Sequence, residues 1–424
     1  MLSRLMRRSP VPRDLGAVTH VAVDREADPR ALGADPAAVA ALWRAVERLY
    51  ESGIHPAIQL CVRRHGRVLL DRAIGYARGN GPDDAPDVPK VPVTPDTPFS
   101  IMSASKPLTA MVMHLLAERG ALHLDDPVCE YLPDFARHGK ADVTIRHLLL
   151  HRAGLALVDP AALDLDRLAD PALVRETVCE LRPNSPPGRV LAYHAVTAGF
   201  VLGEIVREVT GRDIRAFVDE AIVRPLGLRW TNYGVAPADA DRVAYNYFTG
   251  PPLSLTFRLL FRRVLGVDFE ALSPLSNDRR FLTGIIPSAN VVTTASEISL
   301  FYQLLLEHGA TGGVRVFTPK TVSRATAEQT YMEFDRTLGL PIRYSLGFML
   351  GARWLSLYGP DTESAFGHLG FTNVVTWADP ARDVSVALLT SGKPFVYPAL
   401  CNLLDIALQL GLACPKVGFQ EMAS

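Results

Sequence analysis

Ser103 and Lys106 lie three residues apart in the run Phe99 to Ala110, where an irregular stretch gives way to an amphipathic helical pattern. A serine hydroxyl is a poor nucleophile at neutral pH and needs a base beside it. Side chains three apart on a helix share a face. A lysine so placed can take the serine proton once desolvation or a neighbouring cation lowers its pKa. The Ser103 N–H also falls at a helix start, where free backbone donors can hold a developing oxyanion. Ser-x-x-Lys is a short pattern, and a chain of this length holds roughly one by chance. Two facts favour chemistry here. The chain has six lysines against thirty-eight arginines, and only Lys106 follows a serine at this spacing. Other pieces of a hydrolytic constellation also follow downstream in a workable order.

The first of these is Tyr193, which follows the turn signal Pro187-Gly188 and precedes a helical pattern. A phenol near Lys106 would have its phenolate favoured by the ammonium charge. It could then pass a proton from Ser103 to a leaving group. The bland alternative is that Tyr193, one of twelve tyrosines, merely packs. The second is Phe366-Gly367-His368-Leu369-Gly370-Phe371, just before a strand pattern. Glycines on both sides of His368 let backbone approach a ligand closely. The Phe371 N–H is then a candidate second oxyanion donor, and His368 could contact the carbonyl or carboxyl side of a substrate. The alternative for His368 is a loop histidine that hydrogen-bonds locally.

Elements that must hold these groups are legible from periodicity. Asp35 and Pro36 read as N-cap and first residue of a helix with the stripe Val39, Leu42, Trp43, Val46, Leu49 and Tyr50, closed by Gly53. Residues 57–64 and 67–74 read as strands around a His65-Gly66 hairpin turn. The Pro-, Asp- and Gly-rich stretch 80–98 reads as loop. The helix carrying Lys106 buries Leu108, Met111, Val112, Leu115 and Leu116. It tolerates Pro107 in its first turn. Residues 122–228 are mostly helical in pattern, with helices at 145–150, 196–210 and 214–222. Strand patterns return at 344–350, 374–378 and 384–390, and a last helix spans about 397–410. The order strands, helices, strands predicts an α+β fold: an antiparallel sheet flanked by helices, built from both chain ends, with an inserted mainly helical region. The expected division is an N-terminal arm over 1–34, loosely packed; a sheet domain over 35–100 plus 286–424; and a mainly helical domain over 101–285.

Composition bounds the partners. A formal charge of −1 over 424 residues argues against a broad polyphosphate-binding surface, though not against locally basic spots, so nucleic acid is not expected as the main partner. Five scattered cysteines with no Cys-x-x-Cys pair argue against a zinc ribbon or redox motif and fit a reducing compartment. No run has signal-peptide or membrane-spanning length, and a cytoplasmic location is expected. The apolar and basic segment 253–265 reads either as a peripheral, membrane-touching lid beside an acyl pocket or as a helix packed on the domain with outward arginines. The second is preferred.

Taken together, Ser103-x-x-Lys106, Tyr193 and His368-x-Gly370 resemble the three motif positions of the serine β-lactamase and penicillin-binding-protein superfamily. The likeness is strongest to its class C-like branch, which includes the family VIII carboxylesterases. Supporting stretches are Glu118 to Pro127, His147 to Leu155 and Arg224 to Leu228, and the likeness runs from about Ala57 to about Gly392. The resemblance implies that Ser103 is acylated and that Lys106 and Tyr193 share the general-base and general-acid work. It implies too that the N–H groups of Ser103 and Phe371 hold the oxyanion, while His368 and Gly370 stand where the lactamases have Lys-Thr-Gly. No cofactor or metal is implied. Ala195 stands where the tyrosine motif ordinarily ends in Asn or Ser, and His368 replaces a permanent cation. Both suit a neutral ester better than a carboxylated β-lactam or peptidoglycan stem. His194 is not expected to take part. The expectation is a serine esterase acting on small to medium acyl esters. The alternatives are an acyltransferase, D-amino-acid peptidase or weak β-lactamase of the same superfamily, or a catalytically silent ligand-binding homologue. The oligomeric state is left open.

Overall fold

The computed structural model describes residues 6–157, 164–255, 258, 268–395 and 399–418. Helix Pro36–Glu51 starts where expected: the Asp35 carboxylate accepts the Ala37 N–H at 3.0 Å, and the six stripe residues are buried. Strands Ala57–Arg64 and Arg67–Arg78 pair around His65 and Gly66, which sit at φ +50° and +71°. Two successive positive φ values turn the chain with the twist the strands require.

Among the described residues, ten strands form one antiparallel sheet. Across it run Thr19–Val21, Arg67–Arg78, Ala57–Arg64, Val384–Thr390, Val374–Asp379, Phe366–Gly370, Met349–Leu350, Leu340–Tyr344 and Thr330–Asp335, with Val91–Pro92 beside Arg67–Arg78. The pairing of Ala57–Arg64 with Val384–Thr390 (Leu60 opposite Leu388) joins the two ends of the chain at the sheet centre. Side chains alternate between faces along each strand. Ile58, Leu60 and Val62 pack with helices Pro36–Glu51 and Leu400–Ala413 in one core. Ala57 and Cys61 belong to a second core with helices Lys106–Glu118, Thr197–Thr210 and Ala295–Leu306. Each fully buried Leu, Ile or Val contributes about 1.5–3 kcal/mol through lost water contact, so the sheet is fastened from both sides.

Several elements differ from the sequence reading. Residues 6–34 are not a loose arm: Thr19–Val21 pairs with Arg72–Ile74, and Val18, Leu32 and Ala34 are buried. The strand expected at 344–350 is split, because Ser345 to Phe348 form a turn between Leu340–Tyr344 and Met349–Leu350. His368 stands on a strand, Phe366–Gly370, rather than on a loop. Helix Ala295–Leu306 was not foreseen. Its N-cap Thr294 accepts the Glu297 N–H at 3.2 Å, and its polar stripe Ser296, Ser299 and Gln303 is buried, with Ser299 and Gln303 bonded to sheet residues, so the helix does not show the usual apolar-in, polar-out pattern. The segment 253–265 lies largely outside the described residues.

Candidate active site

The chain reaches Ser103 through strand Phe99–Ser100 and a tight turn in which Met102 sits at φ +50°. A non-glycine residue in the left-handed region is strained and persists only where its surroundings fix it. Here Ser105 does the fixing: its Oγ donates to the Met102 carbonyl at 2.5 Å and accepts the Val291 N–H at 3.0 Å. Ser103 lies in the 3-10 turn Met102–Ser105, and Lys106 opens the α-helix proper.

Lys106 is buried and has no carboxylate partner among the described residues. Its Nζ donates to the carbonyl oxygens of Ala195 at 2.9 Å and Ser288 at 3.2 Å. Burial pulls its pKa down to about 7, which makes a neutral amine available at neutral pH. The Ser288 turn can lie so close because residue 199 is glycine: a Cβ there would sit 2.2 Å from Ser288 Oγ.

Tyr193 lies against both groups. Its hydroxyl hydrogen-bonds with the Ser103 side chain, and Lys106 Nζ sits 4.7 Å from its ring centroid. Burial, the larger cause, and the Asp335 charge raise the phenol pKa. Desolvation therefore outweighs the expected pull of the lysine toward phenolate, and the neutral phenol is the resting form. Asp335 also holds the Tyr193 backbone. One carboxylate oxygen accepts the N–H groups of Tyr193 (3.1 Å), Thr337 (2.9 Å) and Leu338 (3.0 Å), and the other accepts the Tyr344 hydroxyl (3.2 Å).

Three histidines surround this centre. His151, at φ +57°, tilts against Tyr193 with ring centroids 4.6 Å apart. Its Nδ1 accepts the His194 N–H at 3.2 Å. The His194 Nε2 in turn accepts the Leu155 N–H at 3.3 Å, so that ring braces a loop. His368 Nδ1 donates to the Leu369 carbonyl at 2.7 Å, and its ring lies 6.1 Å from that of Tyr193. Burial, with the Lys106 charge second, presses the pKa of His194 and of His368 to about 3. Burial and the neighbouring charges lower that of His151 as well. Each imidazole is neutral in the working range of pH.

The strand bearing His368 comes up against the Ser103 turn. A Cβ on Gly370 would sit 2.2 Å from the Ile101 carbonyl oxygen, so only glycine fits. Phe371 follows at φ +53°, its ring stacked on Phe269 at 4.6 Å. Ser103 and Phe371 line one cavity of about 100 Å³ with Met102, Leu165, Leu168, Leu275 and Ile286, and no charged side chain lines it among the described residues.

Ser103, Lys106, Tyr193, His368, Gly370 and Phe371 thus converge. Sequence reasoning missed Asp335, Ser288 and the ring contact of His151 with Tyr193. A turn signal at His151-Arg-Ala-Gly154 could have pointed to the last. Asp335 and the Ser288 carbonyl carry no local signal.

The family model Beta-lactamase matches residues 42–408. The esterase/beta-lactamase LipL of Mycobacterium tuberculosis is 30% identical over 395 residues, covering 88% of this chain and 86% of that protein. A penicillin-binding protein homologue from Caulobacter crescentus superposes with a TM-score of 0.74 at 27% identity, over 88% of this chain and 98% of the other. A family VIII carboxylesterase does so with a TM-score of 0.72 at 24% identity, over 89% and 98%.

Proposed function

The chain belongs to the Beta-lactamase family and is a serine hydrolase of that superfamily, and from that premise we propose that it cleaves carboxylic esters of small to medium acyl chain through a Ser103 acyl-enzyme. The observation that carries the ester preference is the character of the cavity at Ser103. Its described lining is uncharged and, apart from Ser103 and Ser276, apolar, and beside it His368 is neutral where a lactamase has a cation. A carboxylated substrate would find no counter-charge there, whereas an aliphatic acyl group gains by leaving water.

In this reading neutral Lys106 is the base. The Ser103 proton passes by way of the Tyr193 phenol to the amine as Oγ forms its bond to the ester carbonyl carbon. The carbonyl electron pair moves onto oxygen, held by the N–H groups of Ser103 and Phe371. When that oxyanion collapses, the alkoxide leaves and takes the proton back from the lysine–tyrosine pair. Water repeats the sequence on the acyl-enzyme, releasing the acid and restoring Ser103. The LipL likeness supports an esterase over a silent binding protein.

The test is Ser103→Ala assayed with p-nitrophenyl acetate and butyrate, beside fluorophosphonate labelling of the wild type read by mass spectrometry. Turnover should vanish in the variant, and one label per chain should map to Ser103. Full activity in Ser103→Ala, or no labelling of Ser103, overturns the reading. Nitrocefin turnover equal to ester turnover would overturn the ester preference alone.

A further inference from the structure

The C-terminal helix Leu400–Ala413 is apolar on two sides. Ile406, Leu410 and Ala413, with Leu403, face inward onto the core shared with helix Pro36–Glu51. Leu400, Leu404, Leu408 and Leu412 stand four apart on another face and are 50%, 53%, 48% and 61% exposed. A helix of a folded domain ordinarily turns its apolar residues inward, whereas among the described residues this one also leaves an outward apolar ridge about half exposed. Solvent exposure of one leucine is unremarkable; four in a ridge are not.

The loop packed along this helix adds to the surface. A Cβ on Gly359 would lie 3.2 Å from Ala407 Cβ, and the loop carries Leu355, Leu357 and Trp354, the last 82% exposed. Tyr358, Pro360 and Trp377 with Ala407, Leu408 and Leu412 bound a groove of about 200 Å³ beside the ridge. The exposed apolar area of the seven side chains is of the order of one partner's share of a standard interface, about 800 Å².

We propose that this face is the twofold interface of a homodimer, with the Leu400–Leu412 ridge of one copy laid against that of a second copy. Ridges spaced i, i+4 interdigitate with their own kind, and a patch that carries both a ridge and a groove is self-complementary about a twofold axis. Charge favours a second copy over an anionic lipid surface. The helix bears no Lys or Arg, its one acidic residue, Asp405, is engaged by Arg48, and the groove's Arg382 is paired with Asp379 and Asp361, which leaves Arg353 over the Trp354 ring as the loop's cation and the face without a basic cluster. The formal charge of −1 leaves little repulsion between copies. The face also lies across the sheet from the Ser103 helix, so pairing leaves the proposed site open.

Trp354 provides an internal reporter, because Trp43, Trp230 and Trp377 are buried in the single chain. Analytical ultracentrifugation of the full chain at micromolar concentration should give twice the mass of the 46.2 kDa chain. Dilution should shift the tryptophan emission to the red. Leu404→Glu/Leu408→Glu, which places like charges near the axis, should weaken association about a hundredfold or more while leaving ester turnover and circular dichroism unchanged. If that variant does not fold, Leu412→Arg, whose cation suits a helix C-terminus, serves instead and should also weaken association. A wild type that is monomeric throughout, a charged variant that stays fully dimeric, or a monomer that floats with phosphatidylcholine vesicles each overturns the proposal.

Discussion

Lys106 Nζ donates to the main-chain carbonyl of Ala195 at 2.9 Å, so the position that lacks a polar side chain still grips the lysine, through its backbone. The contact also explains how a methyl group is tolerated there. A carbonyl stabilises the ammonium without adding a countercharge, and desolvation therefore sets the pKa.

The pH dependence follows from that balance. With Lys106 near 7 and His368 and His194 near 3, the basic form of the amine appears as pH rises through about 7. The rate of ester hydrolysis should climb through that region and level off above it, and His368→Gln should leave the limb in place. A limb that vanishes in His368→Gln would assign it to the imidazole. The linked stability has a definite sign. The folded pKa of Lys106 is depressed from an ordinary 10.5, so the unfolded chain binds more protons between about 7 and 10.5, and wild-type stability gains as pH rises across that window. Lys106→Met lacks this term. Its Tm relative to wild type should fall steadily with pH over the same interval, and a flat difference would refute a depressed lysine.

Tyr193→Phe removes the hydroxyl that meets Ser103 but keeps the ring under Lys106 and the backbone bond to Asp335. In the proposed mechanism kcat for p-nitrophenyl butyrate should drop about 10²- to 10⁴-fold with little change in fold by circular dichroism. Wild-type kcat in this variant would leave Lys106 as the sole proton carrier.

Asp335 is expected to act through Tyr193 rather than on substrate. Asp335→Asn swaps one acceptor oxygen for a donor and weakens a four-bond cluster, at a cost of about 1–3 kcal/mol in unfolding free energy. If the cluster positions the phenol, kcat should fall about tenfold while KM hardly moves. A stability loss with unaltered kcat would make the carboxylate purely structural.

Gly370→Ala forces a Cβ within 2.2 Å of the Ile101 carbonyl. Either the strand or the Ser103 turn must retreat, and overpacking of this kind costs about 1–3 kcal/mol. Turnover should fall sharply together with Tm. Retention of both would show that the two segments can part without harm to the site.

What the chain reveals unaided is whatever depends on neighbours a few residues apart. The Asp35-capped helix, the His65-Gly66 hairpin, and a serine and lysine on one helical turn are all local patterns, and each stands where periodicity and turn chemistry place it. The convergence of Tyr193 and His368 on that turn was legible only as an ordered set of motifs, through their likeness to a family. Tertiary structure decided the rest. His368 became a strand residue because Phe366–Gly370 finds pairing partners on both sides. Asp335 reached Tyr193, and the Ser288 carbonyl reached Lys106, because the closed sheet and the helical layer carry distant segments together. Such contacts leave no periodic trace in the sequence. Burial set the protonation behaviour as well: the same amine, phenol and imidazoles in water would titrate at ordinary values, and removal of water, the leading cause in each case, makes the lysine a base near neutral pH, pushes the phenol further from phenolate and presses the imidazoles further from their charged form.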